Sequence, residues 1–188
     1  MKHMILVASP PACGKTFIAK ELARALGNAV YLDKDSVIVL SKQVFKAAHE
    51  PFNRSSDFFE TYVRNYEYEA IMTIAFEALE FNDHVLINAP FARELKSPTY
   101  VRDLRRVLAE RGADLSIVWV STDPEVCHQR MLKRASERDA WKLAHWDEYI
   151  KGRDFNPPEV DGLFVIDNSS ETAYREPLAR FLQHLKHN

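Results

Sequence analysis

Short apolar runs recur along the chain at Met4–Ala8, Ala29–Leu32, His84–Asn88, Leu115–Ser121 and Gly162–Asp167. Each is too short for an independent helix and rich in Val, Ile and Leu, which fits strands buried on both faces of a parallel sheet. The segments between them carry helix ends. A helix starting at Lys15 and running to about Leu26 stops at Gly27, a residue able to take positive φ. Ser97 before Pro98, and Asp123 before Pro124, are N-cap residues followed by a proline at the first helical position, where the missing N–H has no helical partner. Repeated strand–helix–strand units predict an α/β domain: a doubly wound, five-stranded parallel sheet with helices on both faces.

The connection between the second and third strands is unusually long. Its stretch from Ser56 to Phe81 predicts one helix of roughly 39 Å at ~1.5 Å per residue. Phe59, Val63, Tyr66, Ala70, Ile74, Ala78 and Phe81 follow the three-four spacing of a buried stripe. Tyr62, Asn65 and Glu69 fall on a neighbouring edge, open either to solvent or to a cleft. Repeats, low-complexity segments and linkers are absent from the sequence.

At 188 residues the chain has the length of one domain. A hydrophobic fraction of 46% and only five Gly and nine Pro exclude a disordered or collagen-like chain. The formal charge of −2 argues against a broad grip on duplex nucleic acid while leaving room for a local basic cleft. Cys13 and Cys127 are too few for a disulfide framework and read as free thiols. The opening apolar run is too short for a secretory signal and no stretch approaches ~18 apolar residues, so the expectation is a cytoplasmic protein with no membrane segment, as a monomer or homodimer.

The chemistry concentrates on the carboxyl side of the expected sheet. Ser9-Pro-Pro-Ala-Cys-Gly-Lys-Thr16 follows a buried strand and opens a helix, the context a phosphate loop requires, although Ser9 stands where glycine is usual. The N–H groups of Cys13, Gly14, Lys15 and Thr16 are able to converge on phosphate oxygens at a helix N-terminus. Lys15 would neutralise the β- and γ-phosphates and the Thr16 hydroxyl would ligate Mg²⁺. Asp33 and Asp35 end the second strand, pointing the same way if the strand persists that far. They are suited to dividing two tasks, holding Mg²⁺ and accepting a proton from an acceptor hydroxyl. At the end of the third strand, where an acidic Mg²⁺ partner would be expected, Asn88 is neutral. Arg93 follows on a loop at the same edge and is a candidate anion clamp. Arg130, Arg134 and Arg138 recur at four-residue spacing, near one helical face for as long as the helix continues, and would need anions to offset their mutual repulsion.

In motif order and over nearly the whole length, the phosphate loop, Asp33-x-Asp35, Arg130-x-x-x-Arg134 and Arg138-Asp139 resemble the P-loop kinases of small molecules and polynucleotide 5′ ends. That group includes shikimate and gluconate kinases, adenylate kinase-like enzymes and AAA-type kinases. The resemblance implies a sheet order of 2-3-1-4-5, with Asp35 as general base and Asp33 as the Mg²⁺-side carboxylate. It places Arg130 on adenine and brings Arg134 and Arg138 to the phosphates. The loop Asp167-Asn168-Ser169-Ser170 resembles the segment that borders adenine. Residues 1–188 would then form a single domain with a helical substrate-side insertion over about 36–81 and a lid over about 130–146. ATP would contact Pro11, Ala12, Cys13, Gly14, Lys15, Thr16, Phe17, Arg130 and Asn168, and catalysis would use Lys15, Asp35, Arg134 and Arg138. Asp35, Arg54, Tyr62, Asn65, Glu69 and Arg93 are the expected acceptor-side residues.

These observations predict an ATP- and Mg²⁺-dependent phosphotransferase acting on a hydroxyl of a small molecule. Two alternatives are a P-loop ATPase switch without an acceptor, which the neutral Asn88 allows, and a 5′-hydroxyl nucleic-acid kinase. Polynucleotide kinases tend to carry an Arg shortly after the catalytic Asp; here Ser36-Val-Ile-Val follows Asp35.

Overall fold

The computed structural model describes residues 1–135, 140–151 and 155–187. Strand β1 (Lys2–Ala8) runs through the middle of a five-stranded sheet ordered β2-β3-β1-β4-β5, every neighbouring pair parallel. The other strands are β2 (Ala29–Asp33), β3 (His84–Asn88), β4 (Ala113–Ser121) and β5 (Leu163–Asp167). This is the fold class and strand order the sequence predicts.

Residue alternation along β1 divides the core into two layers. Met4, Leu6 and Ala8 meet Ile71, Ala75 and Leu79 of α4 (Arg64–Phe81) and Val101, Leu104 and Leu108 of α5 (Pro98–Ala109). On the opposite face Ile5 and Val7 meet Ile18 and Leu22 of α1 (Lys15–Leu26) and Phe181 and Leu185 of the helix that follows β5 (Glu171–His187). Helix ends follow the sequence signals. Ser97 Oγ accepts from Tyr100 N to open α5, and Asp123 Oδ1 accepts from Glu125 N and Val126 N to open α6 (Pro124–Arg134). Among the described residues no helix is long and apolar enough to cross a membrane.

Register, rather than any single turn, sets up the functional edge. Asp33 of β2 lies beside Asn88 of β3, and Asn88 beside Val7 of β1. Both polar residues therefore reach the carboxyl edge together, directly under the loop that leaves β1.

The connection from β2 to β3 departs from the single helix read from periodicity. It is built from a short 3-10 turn (Lys34–Val37) and α2 (Ile38–Ala47), then α3 (Asp57–Tyr62) and α4. Val63, at φ −125°, breaks what would have been a continuous run. Phe59 and Val63 bury with Phe45 in a satellite cluster, whereas Tyr68, Ile71, Ala75 and Leu79 turn toward the sheet. A straight helix cannot face both, so the buried stripe beyond Val63 slips by one residue, and Tyr66, Ile74 and Phe81 are left exposed. Asp35 is a second departure. β2 stops at Asp33, whose Oδ1 accepts from Asp35 N and turns the chain into the 3-10 segment. The strand alternation expected to align the two carboxylates therefore ends before Asp35.

At the opposite, amino-terminal edge, His3 is buried and stacks on His84 with centroids 5.8 Å apart. Burial, then the proximity of His84, lowers the His3 pKa below its ordinary value near 6.5, with Asp114 opposing. A lowered folded-state value means the unfolded chain binds the proton more readily, so the stabilisation is complete above pH 6.5 and declines as pH falls below it. Urea unfolding of the parent should therefore lose stability between pH 7.5 and 5.5, and His3→Gln should flatten that dependence; an unchanged slope would contradict it.

Candidate active site

Gly14 caps α1 in the left-handed region at φ 77°. A Cβ there would come within 2.1 Å of Asn168 Nδ2, so glycine is required by both backbone conformation and space. Phe17 N and Ile18 N both donate to Gly14 O, which starts the helix. The preceding N–H groups have no intrahelical acceptor, as at any helix start, and stand at the positive end of the dipole. Ala12 also takes positive φ, 67°, giving the loop the alternation of conformations that turns successive N–H groups to one side. Ser9, buried, spends its hydroxyl on Pro10 O at 2.7 Å.

Lys15 Nζ donates to Asn88 Oδ1 at 2.6 Å. Burial lowers its pKa, and the carboxylates of Asp33 and Asp35 pull it back up. The other end of the Asn88 amide faces Asp33 Oδ2 at 2.8 Å, the Tyr31 hydroxyl at 2.9 Å and Thr16 Oγ1 at 3.1 Å. Lysine has only donors and a carboxylate only acceptors, so the orientation of the amide follows from chemistry: oxygen to Lys15, nitrogen to Asp33. Tyr31 OH donates in turn to Asp33 Oδ2 at 3.0 Å. One neutral side chain thus gathers Lys15, Thr16 and Asp33. An aspartate at position 88 would repel Asp33 and bind Lys15 as an ion pair, competing with any phosphate.

Asp35 lies at the exposed rim, its Oδ1 3.5 Å from Arg54 Nη1. Arg54 is anchored from behind, since its Nη2 donates at 2.6 Å to Oε2 of Glu67, a carboxylate only 2% exposed. Lys34 Nζ reaches the same oxygen at 2.5 Å and Ser41 Oγ donates to Oε1 at 2.7 Å. Glu67 therefore joins the 3-10 turn, α2, the Arg54 loop and α4. Next to it Tyr68 accepts from Phe91 N at 3.1 Å, fixing the loop that follows Asn88.

A cavity of about 590 Å³ adjoins Gly14 and is lined by Phe17, Arg130, Asn168 and Tyr174 among others. Phe17 and Tyr174 meet edge to face at 5.2 Å. Arg130 Nη2 donates to Asn168 O at 2.7 Å, while its Nη1 is buried without a hydrogen-bond partner. Asn168 Nδ2 donates to Cys13 O at 2.9 Å, so β5 holds the phosphate loop directly. Pro11 is exposed, and Arg134 is exposed at the end of α6, which Ala135 closes at φ 47°. Arg138 lies outside the described residues, as does part of the expected lid.

The expected acceptor residues do not gather around Asp35 as a group. Arg54 does. Arg93 is exposed and pairs with Glu60 at 2.6 Å. Tyr62 is exposed and packs on Phe58 at 5.2 Å. Asn65 and Glu69 line a separate cavity of about 700 Å³ with Tyr68, Met72, Phe76 and Tyr100, which includes no phosphate-loop residue. For Asn65 and Glu69, which lie beyond the break at Val63, the buried stripe is shifted by one position.

A family model described as AAA domain matches residues 4–155. The chain belongs to the AAA domain family. None of the curated proteins compared matches it. Among solved structures it is similar to the Mycobacterium tuberculosis APS kinase CysC in complex with AMPPNP and APS, at 18% identity and a TM-score of 0.60, covering 100% of this chain and 98% of that one. It is also similar to a gluconokinase from Sinorhizobium meliloti 1021, at 14% identity and TM-score 0.57 over 99% and 96% of the two chains. A third is the shikimate kinase from Bacteroides thetaiotaomicron, at 14% identity and TM-score 0.51 over 98% of each chain. The fold of this AAA domain is accordingly that of the P-loop kinases.

Sequence reasoning missed Glu67, Lys34, Ser41 and Tyr31 in this AAA domain. The only available signal was a glutamate one turn from the apolar positions of a helix, which reads equally well as a solvated face. Glu67 carries a buried negative charge answered by two cations. Glu67→Gln should lower stability by about 3–5 kcal/mol in urea unfolding, because Lys34 and Arg54 lose their shared counter-ion. A loss under about 1 kcal/mol would mean that water reaches the network and that it carries little.

Proposed function

We propose that the protein is an ATP-dependent phosphotransferase that moves the γ-phosphoryl group to a hydroxyl of a small molecule. The observation that carries the reading is the convergence of Lys15, Thr16 and Asp33 on the Asn88 amide, beside the N–H groups that open α1 without an intrahelical acceptor. Lys15 meets no carboxylate at ion-pair distance among the described residues, so an incoming phosphate is its natural counter-ion.

Thr16 and Asp33 are the residues that would hold Mg²⁺, which supplies charge neutralisation across the β- and γ-phosphates. No cluster of three or more metal-ligating side chains occurs among the described residues. This donor set fits a cation held by one or two protein oxygens together with phosphates and water. Asp35, exposed and oriented by Arg54, is the proposed base that takes the acceptor hydroxyl proton. Arg54, held by Glu67, is the proposed positive group on the acceptor side, and the segment 36–81 is the proposed acceptor-binding insertion. The cavity at Phe17, Arg130 and Asn168 is the proposed base pocket. Arg134 and Arg138 are proposed to close on the phosphates as part of a lid over about 130–146. A small hydroxylated metabolite suits a formal net charge of −2 better than nucleic acid does.

Acceptor-dependent ADP release across a metabolite panel tests the activity, and an ATPase without an acceptor would release ADP equally with every compound. Lys15→Ala should weaken ATP binding by about 10–100-fold through loss of a charge-assisted contact. Asp35→Asn should lower turnover by about 10²–10⁴-fold with ATP affinity nearly unchanged. If Asp33→Asn shows that pattern while Asp35→Asn stays active, the two carboxylates have exchanged roles.

A further inference from the structure

Cys13 and Cys127 are the chain's two cysteines, 114 positions apart, and the fold brings their sulfurs to 3.6 Å, both side chains fully buried. Cys13 belongs to the phosphate loop and Cys127 to α6, the helix that carries Arg130. Cys13 O is the point at which the rest of the molecule grips that loop: Thr122 Oγ1 donates to it at 2.8 Å and Asn168 Nδ2 at 2.9 Å. Any displacement of Cys13 is therefore a displacement of the loop's N–H groups relative to both neighbours.

We propose that Cys13 and Cys127 form a reversible disulfide that switches the phosphate loop out of its nucleotide-binding shape, with hydrogen peroxide as the oxidant. The inference rests on the nucleotide-site reading above. Closing the bond requires the sulfurs to move from 3.6 Å to about 2.05 Å, roughly 1.5 Å of approach. Both cysteines are buried in the same core layer, but Cys127 is held within the hydrogen-bonded backbone of α6 whereas Cys13 lies on a loop, so the loop takes up the larger share of the movement. A shift of this size is large against the hydrogen-bond tolerance of the N–H groups that would hold phosphate.

The bond shared by the two thiols and the nearby Arg130 favour the thiolate at Cys127, with burial and Asp123 opposing, while the same bond and burial push Cys13 up. Cys127, on the helix that carries Arg130, is taken as the attacking sulfur. Its thiolate takes one peroxide oxygen as the O–O bond breaks, and the departing hydroxide collects a proton to leave as water, giving a sulfenic acid at Cys127. The Cys13 sulfur then attacks that sulfur, the S–S bond forms, and hydroxide leaves with the Cys13 thiol proton as a second water. In sum two thiols and one peroxide become one disulfide and two waters. A dithiol reductant reverses it through two exchanges. Both thiols are buried in the reduced protein, which suits an oxidant as small as peroxide, and the dithiol reaches the bond once oxidation has displaced the loop.

The test compares the parent and Cys127→Ala, each reduced, peroxide-treated, and peroxide-treated then reduced with dithiothreitol. Peptide mass mapping reads the linkage, and calorimetry with a nonhydrolysable ATP analogue and Mg²⁺ reads affinity. Expected is an intramolecular Cys13–Cys127 link with the loss of two hydrogens, binding weakened by about tenfold or more, and full recovery on reduction. Peroxide should leave affinity unaltered in Cys127→Ala, which keeps the same methionines and the complete phosphate loop. Absence of the link, a link between molecules, a link without loss of affinity, or equal loss in Cys127→Ala would each overturn the switch. Failure of the reduced parent to bind the analogue would instead overturn the nucleotide-site reading, and the switch along with it.

Discussion

The carboxamide of Asn88 is the interaction on which the site depends. An amide is the only common side chain that offers an acceptor to an ammonium and donors to a carboxylate and hydroxyls without adding charge. At the carboxyl edge of β3 it satisfies Lys15 with its oxygen and Asp33 with its nitrogen, and it reaches Thr16 and Tyr31 as well. This neutral bridge keeps the lysine in place without consuming its charge. It also gives Asp33 a hydrogen-bond donor within the same cluster. The register of a parallel sheet delivers the partners: Asp33, Asn88 and Val7 lie side by side, and the loop from β1 begins immediately beyond.

A second centre governs the other half of the edge by the opposite means. Glu67 is a buried charge, and Lys34, Arg54 and Ser41 answer it. Replacing such a network by apolar packing would often be neutral for stability, so its retention is better understood as a means of fixing geometry. Through Arg54 it orients Asp35, and through the adjacent Tyr68 it ties down the loop after Asn88. Asp33 and Asp35, two residues apart in sequence, thus belong to different centres: the first is held by an amide and a phenol, the second by an arginine. The turn between them, capped by Asp33 itself, allows that separation.

The strands, their order and the helix starts were legible because each rests on local chemistry: short apolar runs, a resemblance in motif order, and Ser97, Asp123 and Gly27 at helix ends. Gly14 and Lys15 were legible for the same reason, since the turn, the helix start and the cation lie within a few residues. The acceptor side was not. Its arrangement depends on Phe59 and Val63 joining Phe45 in one cluster while Ile71, Ala75 and Leu79 join another, a competition between two cores that periodicity along one helix does not reveal. With the stripe shifted beyond Val63, Asn65 and Glu69 line the cavity beside Tyr100, and Glu67 comes inward. Pairs such as Lys34 with Glu67, 33 positions apart, are tertiary facts, invisible until the fold brings them together.

A crystal structure grown with Mg²⁺ and a nonhydrolysable ATP analogue tests the site directly. The triphosphate should lie over the N–H groups from Cys13 to Thr16, with Lys15 Nζ on a phosphate oxygen and Asn88 still bonded to Asp33. Nucleotide bound away from this loop, or Lys15 left on Asn88 without a phosphate contact, would contradict it.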